Sequence, residues 1–189
     1  MNLVEILTEY QSTIPPDGLE VIGSIDGLEA TGLSFDSREV QAGNIFFCIS
    51  GGTHDGHEYV IQAIEHGAVA LVVERELMVS VPQIIVEDTR EAMGYISCIY
   101  FGFPSRELDV VGVTGTNGKT TTTHLIAAIL NTAGISCESI GTLTGVLTTP
   151  EAPDLQRQFR SMVDGGIKSV VMEVSSHALS KHRVTGTEF

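Results

Sequence analysis

The stretch 108–121 reads Leu-Asp-Val-Val-Gly-Val-Thr-Gly-Thr-Asn-Gly-Lys-Thr-Thr, and it limits the possible folds of this chain more than any other. Its apolar run, Val110 to Val113, has the character of a buried strand. The run stops at a glycine turn, and Gly118-Lys119-Thr120 opens a helical pattern through Leu125, Ile126, Ile129 and Leu130. Strand, glycine turn and helix N-terminus in that order make a phosphate cradle. Backbone N–H groups and the positive helix end face the anion, the lysine reaches the terminal phosphates, and the hydroxyl ligates Mg²⁺. The pattern is not the generic one, because G-x-x-x-x-G-K-[ST] wants glycine at 113, where Val113 stands; Gly115 lies three residues before Gly118 instead. The bland alternative is a plain glycine turn with an exposed lysine. Against it, a lysine in the first helical turn opposes the helix dipole unless an anion is present.

At 189 residues the chain holds one large domain or two small ones, and 42% hydrophobic residues provide a core. No apolar run approaches a membrane span, and residues 1–30 carry acids rather than a basic signal region. Cys48, Cys98 and Cys137 lie in apolar contexts without metal-ligand spacing, which reads as free thiols in a reducing cytoplasm. The net charge of −14 argues against nucleic acid as a partner. Its distribution says more. Residues 1–104 hold three arginines against sixteen acids, whereas residues 105–189 hold seven cations against eight acids. Cations therefore concentrate around the glycine turn, as an anionic ligand requires, although surface charge alone can also produce the asymmetry.

In chain order, residues 2–10 form a short amphipathic helix, and Pro15-Pro16-Asp17-Gly18 a turn. Short strands follow near 20–24 and 32–36, then Asp36-Ser37-Arg38 and an apolar strand over 44–49. A polar glycine loop, 50–57, leads to a helix over 58–66 with Val60, Ile61 and Ile64 on one face. Strands at 68–74 and 83–87 precede a helix capped by Asp88 or Thr89, whose stripe is Ala92, Ile96, Ile99 and Phe103. Phe103-Pro104 ends that helix and marks a domain boundary, giving domains 1–104 and 105–189. Beyond the glycine turn come a strand over 135–141, a loop to Pro150, a helix over 154–164 and a strand over 169–174. Alternating strands and helices imply a parallel sheet with its ligand site at the strands' C-terminal ends, where both the glycine turn and Glu173–His177 sit.

Gly115-Thr116-Asn117-Gly118-Lys119-Thr120 resembles the ATP loop of the Mur ligases, which build the peptide of the bacterial cell wall. Asp36-Ser37-Arg38, Asp55-Gly56-His57, Thr148-Thr149-Pro150-Glu151 and Glu173-Val174-Ser175-Ser176-His177 with Arg183 carry the same resemblance. Each motif is weak alone; in this order they are specific, and they point to the branch of the family that adds the third peptide residue. The resemblance implies a small N-terminal α/β substrate domain, followed by the first part of a P-loop parallel-sheet ATPase domain. It implies an ATP-dependent ligase acting on UDP-MurNAc-L-Ala-D-Glu through an acyl phosphate. ATP would lie on Gly115–Thr121, with Lys119 neutralising phosphate charge and Thr120 and Glu173 sharing Mg²⁺. Ser37, Thr53 and His54 would meet the uridine diphosphate, and Thr148, Thr149, Ser175, Lys181 and Arg183 the muramoyl peptide. Arg183 suits a carboxylate through its planar fork.

There are bland alternatives: a turn-stabilising Ser37, a helix-capping Thr148-Thr149-Pro150, and a helix-capping or salt-bridged Glu173. Two departures from the family stand out. Leu147 occupies a place where many members have asparagine. The family's sheet continues past the point corresponding to Phe189, through a region with a carbamylated lysine and a further Mg²⁺ site to an amino-acid-binding domain, so this chain alone is expected not to turn over. Two other readings stay open, namely another ligase of the superfamily, such as a folate polyglutamylating enzyme, and a non-catalytic P-loop module.

Overall fold

A computed structural model describes residues 1–13, 19–51, 54–145 and 147–189. The turn expected at Pro15–Gly18 lies outside the described residues. The chain divides into two compact units, Met1–Ile99 and Tyr100–Phe189.

The first unit is a five-stranded sheet in the order β1-β5-β4-β3-β2. Its strands are β1 (Glu20–Ile22), β2 (Gly32–Ser34), β3 (Asn44–Phe47), β4 (Ala70–Val73) and β5 (Gln83–Ile85). β2, β3, β4 and β5 are parallel, whereas β1 pairs antiparallel with β5, a reversal that no local pattern announces. Side chains alternate across the sheet, so Phe46, Leu71 and Val73 share one face with Val60 and Ala63 of helix α2 (Val60–Glu65). Ile45, Phe47, Ala70, Val72 and Ile84, all fully buried, take the opposite face. The apolar stripes left to cover that face are Leu3, Ile6 and Leu7 of α1 (Leu3–Thr13) and Ala92, Met93 and Ile96 of α3 (Thr89–Tyr100). Burial, reinforced by Glu91 and Tyr95 of α3, pushes the phenol of Tyr10 on α1 up to about 12.

Two helix expectations change. A 3-10 turn, Gly56–Tyr59, precedes α2, and Ile61 is 58% exposed, because Ala63 and not Ile61 completes the buried stripe with Val60. α3 ends at Tyr100, so Phe103 is not on its stripe. Phe103 instead takes a left-handed backbone (φ 50°) before Pro104, with the Arg106 guanidinium 4.0 Å above its ring. Asp88 is the cap: its carboxylate accepts the N–H groups of Arg90 and Glu91.

The second unit holds three parallel strands in the order β6-β8-β7, namely β6 (Asp109–Val113), β7 (Cys137–Ile140) and β8 (Ser169–Glu173). β8 is buried along its whole length. Helix α4 (Lys119–Thr132) packs on one face through Ala127 against Val171 and Cys137. Helix α5 (Ala152–Asp164) packs on the other through Leu155 and Phe159 against Val110, Val170 and Met172. Pro153 in the first turn of α5 starts that helix two residues earlier than expected, since a missing N–H costs nothing there. A short helix, α6 (Ser176–Ser180), follows β8. The three cysteines are buried and none is in a disulfide, and no described helix is long and apolar enough to cross a membrane.

Phe159 is fully buried at the centre of the α5 face. Phe159→Ala should lower the stability of the second unit by about 3–5 kcal/mol. Urea unfolding followed by circular dichroism measures this, and a loss below about 1 kcal/mol would mean that α5 is not anchored as described.

Candidate functional site

The glycine turn leaves β6 at Val113, whose register partner on β8 is Glu173. The turn is built on positive backbone angles, φ 145° at Gly115 and 80° at Gly118, which a β-carbon disfavours. Gly118 is the N-cap of α4 and brings no capping side chain, so the N-cap residue covers none of the N–H groups of the first turn. Residues 114–118, with Thr116 and Asn117 at the tip, are exposed, as is Thr121; Lys119 and Thr120 are half-buried. Lys119 Nζ donates to the Gly115 carbonyl at 2.7 Å, folding the side chain back over its own loop.

Glu173 is 2% exposed at the mouth of β8. Its Oε1 accepts the Thr142 N–H at 2.9 Å, and its Oε2 accepts the Thr142 hydroxyl at 3.4 Å. Gly141 makes that approach possible, since a β-carbon there would lie 2.3 Å from Oε1. Thr148 Oγ1 lies 3.1 Å from Thr142 Oγ1. Thr149, fully buried, donates its hydroxyl to the Glu173 carbonyl at 2.8 Å and accepts the Ser175 N–H at 3.2 Å. Ser175 caps α6 by accepting the Ala178 N–H, and Lys181 ends that helix. Arg183 pairs with Glu151 at 2.8 Å, with both side chains nearly buried, and donates to the Thr149 carbonyl at 3.1 Å. Glu173, Thr148, Thr149, Ser175 and Arg183 thus form one linked set around the C-terminal end of β8, beside the start of the glycine turn.

The remaining sequence-selected residues belong to the first unit. Ser37 and His54 line a cavity of about 500 Å³ together with Phe35, Arg38, Tyr59 and Gln62. Ser37 is buried and its hydroxyl donates to Gln62 Oε1 at 2.7 Å; His54 Nδ1 lies 3.5 Å from the Tyr59 hydroxyl. Thr53 lies outside the described residues. Two clefts along α5, of about 400 and 510 Å³ and both lined by Gln158 and Ser161, contain no sequence-selected site residue; Leu147 lines the larger.

Sequence reasoning missed Thr142, Gly141, Glu151 and Gln62 as contacts of the selected residues. Thr142 and Gly141 were findable, because they follow β7 at the ligand-bearing end of a parallel sheet. Gln62 carries no such signal.

Among the described residues no three His, Cys, Asp or Glu side chains cluster to hold a metal. One carboxylate and one hydroxyl beside a phosphate loop suit Mg²⁺, which keeps most of its shell for water and phosphate oxygens. In the first unit, hydrogen bonds from Arg75 and then His57 hold the Asp55 carboxyl well below the usual carboxylate range. Similarly, the Arg38 guanidinium lowers Asp36.

Gly141→Ala should push the Glu173 carboxylate off the Thr142 amide and cost about 1–3 kcal/mol in chemical denaturation; an unchanged midpoint would contradict the close approach. Because the folded carboxyl of Asp55 lies below its unfolded value of 3.8, its stabilisation is complete above that value, begins to decline there, and is lost progressively as pH falls on through the lower folded value. Denaturation midpoints measured from pH about 6 to about 3 should therefore fall less steeply at the acid end in Asp55→Asn than in the parent chain.

The profile of the Mur ligase middle domain matches residues 113–189, and that of the Mur ligase family catalytic domain matches residues 29–100. The UDP-N-acetylmuramoyl-L-alanyl-D-glutamate--2,6-diaminopimelate ligase of Geobacillus thermodenitrificans is 48% identical over 166 residues, covering 83% of this chain and 34% of that protein. The enzyme of the same name from Bacillus licheniformis is 42% identical, covering 100% of this chain and 39% of its own length. The chain therefore spans about a third of the length of the curated relatives it matches. A solved ligase of the same name superposes with a TM-score of 0.75 at 26% identity, over 94% of this chain and 38% of that one. The MurF ligase of Thermotoga maritima, solved in complex with ADP, shares the fold with a TM-score of 0.58 at 24% identity, over 80% of this chain and 33% of its own. Both domain profiles occur in order, and the relatives are similar over most of the sequence: the chain belongs to the Mur ligase family.

Proposed function

We propose that this chain carries the phosphate loop and the sugar-nucleotide cavity of an ATP-dependent amide ligase that extends UDP-MurNAc-L-Ala-D-Glu by a diamino acid, diaminopimelate in the names of its relatives. On this reading an oxygen of the D-glutamate carboxylate attacks the γ-phosphorus of ATP, ADP leaves, and an acyl phosphate forms. The amine of the incoming amino acid then attacks the acyl carbon, phosphate departs with the C–O bond, and the amine loses a proton. The reaction belongs in the cytoplasm, where three buried thiols outside any disulfide stay reduced.

The observation that carries the reading is the start of α4. A glycine N-cap without a capping side chain leaves first-turn N–H groups for an anion, with a lysine in the same turn. Lys119 exchanges its bond to the Gly115 carbonyl for the β- and γ-phosphates, and the amides of Gly115 to Thr121 hold the phosphates in line. Bound Mg²⁺ would supply charge neutralisation at the phosphates, with the Thr120 hydroxyl and the Glu173 carboxylate as its protein ligands. Ser37 and His54 sit on the cavity proposed for the uridine diphosphate, with Thr53 as a third contact of that group. For the muramoyl peptide the proposed contacts are Thr148, Ser175, Lys181 and Arg183. Thr149 acts mainly by holding the Glu173 and Ser175 backbone, since both of its hydroxyl bonds go there.

Calorimetry on the chain should detect separate binding of Mg·ATP and of UDP-MurNAc-dipeptide. Lys119→Ala should weaken Mg·ATP roughly ten- to a hundredfold, the worth of a charged hydrogen-bonding group, and leave the sugar nucleotide unaffected. No binding of either ligand to the folded parent chain would defeat the reading.

A further inference from the structure

The motif Asp55-Gly56-His57 has no part in the roles above, yet it forms a connected polar network around a buried imidazole. The His57 side chain is 1% exposed. Its Nε2 accepts the backbone N–H of Glu74, at the end of β4, at 3.1 Å. A backbone N–H can only donate, so Nε2 must present its lone pair, and the ring is neutral with its proton on Nδ1. That proton goes to Asp55 Oδ1 at 2.6 Å. The same Asp55 oxygen accepts the His57 backbone N–H, capping the 3-10 turn, and Oδ2 accepts from Arg75 at 2.8 Å. The Glu74 carboxylate extends the network, taking the Ser50 hydroxyl on one oxygen and the hydroxyl and N–H of Thr89 on the other.

Gly56 is the steric part of the device. Its N–H donates to the Ile49 carbonyl at 2.9 Å, and a β-carbon at 56 would lie 2.6 Å from the Ile49 nitrogen, so only glycine permits this contact. The residues pinned in this way supply one wall of the 500 Å³ cavity: Ile49, His54, Gly56 and Tyr59. The imidazole is therefore a rigid strut with one donor and one acceptor, joining segment 54–57 to the end of β4 directly beneath that wall.

We propose that His57 is a positioning residue for sugar-nucleotide binding. Its neutral Nδ1–H imidazole fixes residues 54–57 to β4 and so holds the cavity wall in the shape that receives the ligand. This rests on the reading that the cavity takes the uridine diphosphate end of the substrate. His57 touches no ligand itself. Either half of its bridge can be removed separately: glutamine keeps an acceptor near the Nε2 position, asparagine keeps a donor near Nδ1, and phenylalanine keeps neither.

The test has a ligand-binding arm and a ligand-free arm. UDP-MurNAc-dipeptide should bind His57→Phe at least about tenfold more weakly than the parent chain. His57→Gln should recover most of that loss, because it restores the bond that crosses to β4, and Mg·ATP should bind all variants alike. Parent-like affinity in His57→Phe would overturn the proposal. Without ligand, ¹⁵N spectra of the parent chain should show His57 with a proton on Nδ1 and a bare Nε2; a protonated Nε2 would overturn it, even if His57→Phe does not fold. Amide exchange at Gly56 should accelerate at least about tenfold in His57→Phe and stay closer to the parent rate in His57→Gln, and unchanged exchange in His57→Phe would also overturn it. If the parent chain binds no sugar nucleotide, the functional reading fails, while the tautomer and the exchange rates still decide whether His57 holds the wall.

Discussion

The second unit depends on a carboxylate buried where a central strand ends. β8 lies between β6 and β7 and is covered on both faces, so its apolar residues Val170, Val171 and Met172 need no explanation beyond burial. Glu173 does need one. A charged group at 2% exposure persists only if its oxygens are hydrogen-bonded, and the chain meets that demand with Thr142 from the end of β7. The demand then propagates outward. Gly141 must lack a β-carbon for Thr142 to come close, and Thr149 must clasp the Glu173 carbonyl to fix the strand end. The ends of two strands and the segment that follows β7 are thus shaped around one acid, which a core would otherwise reject.

The first unit solves a similar problem with a different arrangement. Beside the core residue Phe46, polar groups hold its cavity wall: Ser37 on Gln62, His66 Nδ1 on the Ser37 carbonyl, and the Asp55–His57–Glu74 chain. Such networks stabilise only when every member is satisfied, because a single unmet donor in a low-dielectric setting costs more than the bond contributes. This makes the cavity wall stiff and also brittle. Single substitutions below the wall are therefore as damaging to its shape as changes on it.

Much of this could be read from residues alone, and the reasons are physical. The strand, turn and helix at 108–132 follow from a run of valines, two glycines and a 3.6-residue apolar period, all local signals. The ligand-bearing end of the sheet followed from alternation of strands and helices, which correctly put Glu173 and the glycine turn side by side. Contacts set by tertiary packing were not legible. The antiparallel β1 has the same composition as a parallel strand, Ile61 fits a helical stripe as well as Ala63 does, and Phe103 continues a periodicity that a left-handed backbone has already broken. Asp55-Gly56-His57 was visible as a motif but not as a strut, because its partner Glu74 lies seventeen residues away.

The selected side chains also differ in how freely they can take up a ligand. Lys119 donates to a neutral carbonyl on an exposed loop, so trading that bond for a polyanion exchanges a weak partner for a stronger one. Arg183 is in the opposite position. Its partner Glu151 is nearly buried, and removing the guanidinium would leave a desolvated carboxylate without its ion pair, a change that costs more than a surface contact returns. Arg183 therefore has to keep Glu151 while it works. Its Nε, buried and without a hydrogen-bond partner among the described residues, is the donor it holds outside that pair. On the proposed reading the phosphate loop thus meets its ligand by exchanging one bond, while the peptide end is met by a guanidinium already locked in place. On that reading the two halves of the site start from different degrees of preorganisation, and the more rigid half is the one that would meet the peptide.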